Sequence, residues 1–171
     1  MTGFNLKSKD RINVFKEIEA HLASLHLTVV SYDFKRPWGG FFVVDETQAK
    51  QFADLFFPTI DISLLQISGK LSPKILVVEP GKRLSWQYHH RRAEIWSVIS
   101  GAVGVVMSTT DEEKERITLH AGQEIRLAQG QRHRLIGLAD WGLLAEIWQH
   151  TDADYPSNEN DIVRVQDDFG R

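Results

Sequence analysis

From residue 27 onward the apolar residues arrive in short runs, each broken by glycine, proline or charge. "LTVVSYDF" (27–34), "GGFFVV" (39–44), "KILVVE" (74–79), "RLSWQYH" (83–89) and "EIWSVIS" (94–100) are the first five. "AVGVVM" (102–107), "ERITLH" (115–120), "QEIRLA" (123–128), "HRLIGL" (133–138) and "GLLAEIWQ" (142–149) follow. All are rich in β-branched and aromatic residues, the signature of strands. About ten short strands with no long helix between them predict an antiparallel sandwich or barrel. Ahead of them, "KDRINVFKEIEAHLASL" (9–25) changes period. Ile12, Phe15, Ile18, Leu22 and Leu25 fall on one helical face, with Ser8 or Asp10 as caps. This amphipathic helix is expected to pack on the main body or on a second subunit. Residues 46–57 predict a short helix ending before Pro58, placed as an insertion. The polar tail from His150 regains an apolar pattern at Ile162, Val163 and Val165.

The chain has 171 residues, enough for one domain with a proper core. Its net charge of −3 gives no electrostatic case for nucleic acid or an anionic membrane. No window has the length of a transmembrane helix, and charges stand where a signal peptide needs its apolar segment. A cytoplasmic location is the expectation. Cysteine is absent, so disulfides and thiolate metal sites are excluded. Any metal must be held by imidazole, carboxylate or amide oxygen.

The polar residues crowd at one place. Gln87, His89, His90, Arg91, Arg92 and Glu94 stand together just before an apolar strand. Either this is a solvated hairpin tip or it is half of a metal site. Residues two apart in a strand share a face, so Gln87 and His89 lie side by side. Hairpin geometry brings Glu94 back over that surface. His133 arrives after a second turn, at Gly130. Two imidazoles, one carboxylate and one amide oxygen suit a divalent first-row metal and leave room for water or substrate.

The spacing of these residues resembles the cupin motif: Gly81, Gln87, His89, Glu94 and Gly101, then Gly122, Gly130 and His133. Gln87 stands where many cupins have a first His. Ala128 replaces a usual Pro and Gly137 a usual Asn. The resemblance implies an all-β jelly-roll barrel, the double-stranded β-helix, over residues 35–171. Residues 1–34 form an extension holding the N-terminal α-helix and a strand. It also implies a homodimer.

A narrower resemblance covers most of the chain after residue 35. "RPWGGF", "PKILVVEPGKRLSWQYHHRRAEIWSVISG", "HRL", "LLAEIWQ" and "NDIVRVQDDFGR" are similar to type II mannose-6-phosphate isomerase. That domain often follows a guanylyltransferase domain, which this chain lacks. The resemblance implies Gln87, His89, Glu94 and His133 as ligands of a divalent metal, zinc first, with manganese, cobalt, nickel or iron as alternatives. It implies a sugar phosphate as the small-molecule partner. Lys74, Arg92, Arg164 and Arg171 are the candidates for phosphate and oxyanion contacts. For the general base it offers Glu146, Asp161 or a hydroxide on the metal. Ordinary roles compete: a hairpin arginine at 92, solvated arginines at the tail and a strand-ending lysine at 74. His90, His120 and His150 read as surface or structural, and the five tryptophans as packing.

Three functions remain open at this level. The first is a metal-dependent isomerase interconverting mannose-6-phosphate and fructose-6-phosphate through an enediol. The second is another metal-dependent cupin enzyme, such as an oxygen-activating or lyase-type centre. The third is a non-catalytic sugar- or metabolite-binding cupin, favoured by Ile95 where the family has His.

Overall fold

The structure, a computed structural model, describes residues 3–66 and 69–171. Helix α1 spans Arg11–Ser24, and its N-cap is Asp10, whose side chain accepts the Asn13 backbone N–H. Val14, Phe15, Ile18 and Leu22 are buried. Ile12, expected on that face, is 68% exposed. At about 100° per residue, Val14 falls beside Ile18 and Leu22 while Ile12 lies off the stripe. A 3-10 turn at Glu46–Gln48 runs into α2, Ala49–Phe56, which ends ahead of Pro58 as the sequence predicts. Residues 67 and 68 of this interruption lie outside the described residues.

Eleven strands follow the predicted runs closely. They are β1 (Val29–Arg36), β2 (Gly39–Val44), β3 (Lys74–Val78), β4 (Trp86–Tyr88), β5 (Arg92–Ser100) and β6 (Ala102–Ser108). Then come β7 (Ile117–His120), β8 (Glu124–Leu127), β9 (Arg132–Gly137), β10 (Gly142–His150) and β11 (Val163–Gln166). A six-stranded sheet has the order β1-β2-β3-β10-β5-β8, and a five-stranded sheet the order β11-β4-β9-β6-β7. Every pairing is antiparallel, which gives the jelly-roll barrel the sequence predicts.

The six-stranded sheet is covered on both faces. Its outer face packs Phe42, Ile75, Ile95 and Ile147 against Val14, Ile18, Leu22 and Phe52 of the helices. Its inner face sends Leu76, Trp96, Val98 and Leu144 toward Val103, Val105 and Leu135 of the other sheet. This is why β3, β5 and β10 read as nearly continuous apolar runs rather than alternating ones. Strand alternation then makes the polar exceptions informative. Lys74, Glu94 and Glu146 share the inner face with Leu76, Trp96 and Leu144.

The motif glycines 81, 101, 122 and 130 all have positive φ, between 72° and 89°. Gly137, where the family has Asn, answers a different need. A Cβ there would stand 2.0 Å from the Glu79 carbonyl oxygen, a backbone atom. Gly137→Ala is therefore expected to cost about 1–3 kcal/mol, the scale of overpacking, read as a lower midpoint in urea denaturation.

Candidate active site and metal centre

Three side chains converge at the floor of the barrel. His89 leaves the end of β4, Glu94 points inward from β5, and His133 points inward from β9. All three are 2% exposed. One ligand atom from each lies within 4.8 Å of the others. His89 Nε2 is 3.1 Å from Glu94 Oε1, and His133 Nε2 is 3.4 Å from Glu94 Oε2.

The backs of the two rings decide what those nitrogens carry. His89 Nδ1 lies 2.6 Å from the Asp161 carbonyl oxygen, and His133 Nδ1 lies 3.0 Å from the Gln131 carbonyl oxygen. A carbonyl only accepts, so each Nδ1 holds the proton and each Nε2 presents a lone pair. Burial depresses the His89 pKa, which favours the neutral ring, although Glu94 pulls the other way. The His133 lone pair therefore faces a carboxylate oxygen, acceptor against acceptor, while the His89 lone pair faces Glu94 with Arg92 Nη2 beside it at 3.2 Å. Glu94 Oε2 and His133 Nε2 are buried with no hydrogen-bond partner among the described residues. A divalent cation would satisfy both orphaned atoms, and the donor set of two imidazoles and one carboxylate fits one. Burial alone would raise the Glu94 carboxyl. The adjacent Arg92 guanidinium, which donates to Glu94, works against burial, and the group is held well below the usual range.

Gln87 stands beside the triad, paired in register with His133 across β4 and β9. Its side-chain oxygen accepts the Ser85 hydroxyl at 2.5 Å, which leaves one of two lone pairs for a ligand role.

Above the triad opens a cavity of about 480 Å³ lined by aromatic and charged side chains. Glu146 of β10 is 5% exposed, between Lys74 of β3 and Trp96 of β5 in register. Its oxygens accept the indole N–H groups of Trp96 and Trp148, both at 2.8 Å. Burial first, then the charge of Glu94, push its carboxyl up to about 7, against the pull of Lys74 and Arg92. Trp38, Trp96 and Trp148 all line the cavity, so three of the five tryptophans expected to be packing face the site. Trp86 and Trp141 are packing residues, each donating to a backbone carbonyl.

The cationic candidates divide. Arg92 is 5% exposed and is no turn residue. Its Nε donates to Glu94 at 2.9 Å, its Nη1 to Ser157 Oγ at 2.9 Å, and its Nη2 lies 3.2 Å from His89 Nε2. Its guanidinium stacks 3.7 Å from the Trp148 ring. So engaged, Arg92 serves the buried carboxylate rather than offering a free fork to phosphate. Lys74 reaches the cavity, pairs with Glu159 and lies 4.5 Å from the Trp148 ring. Arg164 and Arg171 line the cavity toward solvent, and Arg171 pairs with Asp167 at 2.9 Å. Arg36 lines it too, and the sequence reading did not single it out. Its place in "RPWGGF", a stretch shared with the resembled family, was the available signal.

Asp161 is placed differently from its expected role as base. It is 3% exposed and lies outside the cavity lining. Its carboxylate accepts the backbone N–H groups of His90 and Arg91, each at 2.9 Å, and the Ser157 hydroxyl at 2.6 Å. Burial opposes its charge, but these bonds bring its pKa down to about 2. A carboxylate that weakly basic, turned away from the cavity, is unsuited to take a proton from carbon. His150 is fully buried and structural, its Nδ1 accepting the Ser157 backbone N–H at 3.0 Å.

Comparison with known proteins bears on the family and the fold. A family model described as mannose-6-phosphate isomerase C-terminal matches residues 45–167. The xanthan biosynthesis protein XanB of Xanthomonas campestris pv. campestris is 30% identical over 165 residues, which is 95% of this chain and 29% of that protein. The alginate biosynthesis protein AlgA of Pseudomonas aeruginosa is 31% identical over 168 residues, 95% of this chain and 28% of that protein. The chain thus spans less than a third of the length of these relatives. Among solved structures, the capsular polysaccharide assembling protein CapF of Staphylococcus aureus aligns with a TM-score of 0.51 at 14% identity, covering 82% of this chain and 34% of that one, a likeness of fold. With the match over residues 45–167 and the barrel that carries it, this chain belongs to the mannose-6-phosphate isomerase C-terminal family.

Proposed function

We propose that the chain is a metal-dependent aldose–ketose isomerase acting on a sugar phosphate, with mannose-6-phosphate and fructose-6-phosphate as its pair. The observation that carries this reading is Glu146. It is a buried carboxyl poised at about 7, and it lines the same cavity as Glu94, the carboxylate of the cation-seeking triad.

Such an isomerisation moves one proton between C1 and C2 and shifts a hydroxyl proton between the adjacent oxygens. Glu146 takes the C2 proton of the open-chain aldose and returns it to C1. A base with a pKa near the working pH is suited to both halves of that transfer. The indoles of Trp96 and Trp148 fix its oxygens, so orientation needs no help from solvent. His89, Glu94 and His133, with Gln87 beside them, would hold a divalent cation, zinc first, whose Lewis acidity stabilises negative charge developing on the sugar oxygens. Arg164, Arg171 and Arg36 receive the phosphate at the open side, where guanidinium groups match its geometry. Lys74 contacts an oxyanion once Glu159 gives way.

Ile95 was the reason to favour a non-catalytic binder, and its position weakens that reason. It faces the helices with Ile75 and Ile147, on the opposite side of β5 from Glu94. The family's His is therefore replaced outside the cavity.

The test strips the protein with a chelator and reconstitutes it with zinc, manganese, cobalt, nickel or ferrous iron. Turnover of mannose-6-phosphate should depend on metal and vanish in His89→Ala. Glu146→Gln should lower kcat by about 10²–10⁴-fold with little change in KM. In the wild type kcat should rise with pH through about 7, because the ionised carboxylate is the active form of a base. Arg164→Ala should raise KM for the phosphorylated sugar by about tenfold, one charge-assisted contact, and leave kcat nearly unchanged. Metal and sugar phosphate bound without turnover would overturn the isomerase reading in favour of a binding module.

A further inference from the structure

We infer that Asp161 is a positioning residue for the metal ligand His89, so that cation affinity depends on the docking of a segment about seventy residues away in the chain. The inference rests on reading His89, Glu94 and His133 as a cation site.

The two imidazoles are aimed by different means. His133 donates to Gln131, a residue two places earlier, at 3.0 Å. Its orientation comes from its own strand entry. His89 donates to the carbonyl of Asp161, at 2.6 Å. That bond leaves the Nε2 lone pair facing Glu94 only while the carbonyl stays in place. The side chain of the same residue holds it there. The Asp161 carboxylate grips the next two backbone N–H groups after His89, those of His90 and Arg91, at 2.9 Å each. One residue thus clamps the ligand ring from its carbonyl and the ligand's turn from its carboxylate. Ring, turn and segment become one rigid unit.

The segment has its own anchors. Ser157 donates its hydroxyl to Asp161 at 2.6 Å and its backbone N–H to His150 at 3.0 Å. Arg92 donates to Ser157 and to the Asn158 carbonyl, at 2.9 and 3.1 Å. Asp161 and Ser157 are both buried. By contrast, residues 151–155 of the same segment are exposed. The docked part is therefore the part that touches the ligand. Outer partners of metal-binding imidazoles fix tautomer and ring orientation, and their loss costs about 10–100-fold in metal affinity.

Asp161→Asn replaces one accepting oxygen by a donating amide, so three hydrogen bonds can no longer all be accepted. Zinc affinity would be measured by competition with a chromophoric chelator. In the metal-free protein, ¹⁵N NMR would read the His89 tautomer. Asp161→Asn should weaken zinc binding by about 10–100-fold and blur the single Nδ1–H signature of His89, with near-ultraviolet circular dichroism unchanged. Ser157→Ala should do the same to a lesser degree. Asp154→Asn, the same charge change on the exposed part, should do neither. Wild-type zinc affinity and an unchanged His89 signal in folded Asp161→Asn would overturn the inference. If that variant does not fold, the same two readings on Ser157→Ala decide. Failure of the wild type itself to bind zinc or the other divalent metals would sink the cation site, while the tautomer reading would still decide the positioning role.

Discussion

A carboxylate buried at the floor of the barrel is the constraint from which the rest follows. Glu94 is 2% exposed, and an ionised group taken out of water costs several kcal/mol unless partners replace the water. Arg92 donates to it, and His89 and His133 face it. Each of these is buried in turn and needs partners of its own. Arg92 finds Ser157 and the Asn158 carbonyl, His89 finds the Asp161 carbonyl, and His133 finds Gln131. The demand spreads outward until it reaches the surface segment that carries Asp161. Beyond the two imidazole–carboxylate contacts, each link in that chain is a hydrogen bond to a charged or titratable group, the kind costly to leave half made.

The same sheet that buries Glu94 makes its burial possible. Strands β3, β5 and β10 send one set of alternate residues to the helices and the other to the cavity. Ile75, Ile95 and Ile147 anchor the outer set in a dry core. The inner set can then carry Lys74, Glu94 and Glu146 without loosening the strands. A barrel with one solvated face would have no such reserve. The helix α1, which touches no candidate ligand, supports the site by closing that outer face.

Much of this was legible in the sequence. The strand runs and the helix followed from periodicity alone, because local pattern and tertiary burial agree there. His89, Glu94 and His133 were legible through their spacing between turn glycines. What remained hidden depended on contacts between distant residues. Nothing in "NENDIVR" says that the Asp161 carboxylate turns toward the backbone after His89 instead of into the cavity. Arg92, read as a candidate phosphate contact with a hairpin turn as its ordinary alternative, is folded inward onto Trp148 and Glu94, which the polar turn before it does not reveal. Of the three tryptophans that face the cavity, Trp96 and Trp148 hold the buried Glu146 through their indole N–H groups, a use that side-chain size does not reveal. Ile12 was misplaced for a simpler reason: the true stripe includes Val14, one residue off the spacing first read.

The charges of the cavity are arranged in opposition. At the buried end, lone pairs and carboxylate oxygens face one another and call for a cation. At the open end, Arg164 has its charge disfavoured by burial and by the guanidinium groups of Arg171 and Arg36, with Asp167 only partly offsetting them. Like charges held together are a cost that a doubly charged anion would relieve. A ligand that suits both ends carries a phosphate at one terminus and metal-binding oxygens at the other. Between the two ends lie Glu146 and the tryptophans that hold it. Under the proposed function the open-chain sugar phosphate has this polarity, with its carbonyl end toward Glu146, whose pKa is raised. On the proposed reading, this is where proton transfer would take place, at a carboxyl held near its midpoint between a cation site and a phosphate site.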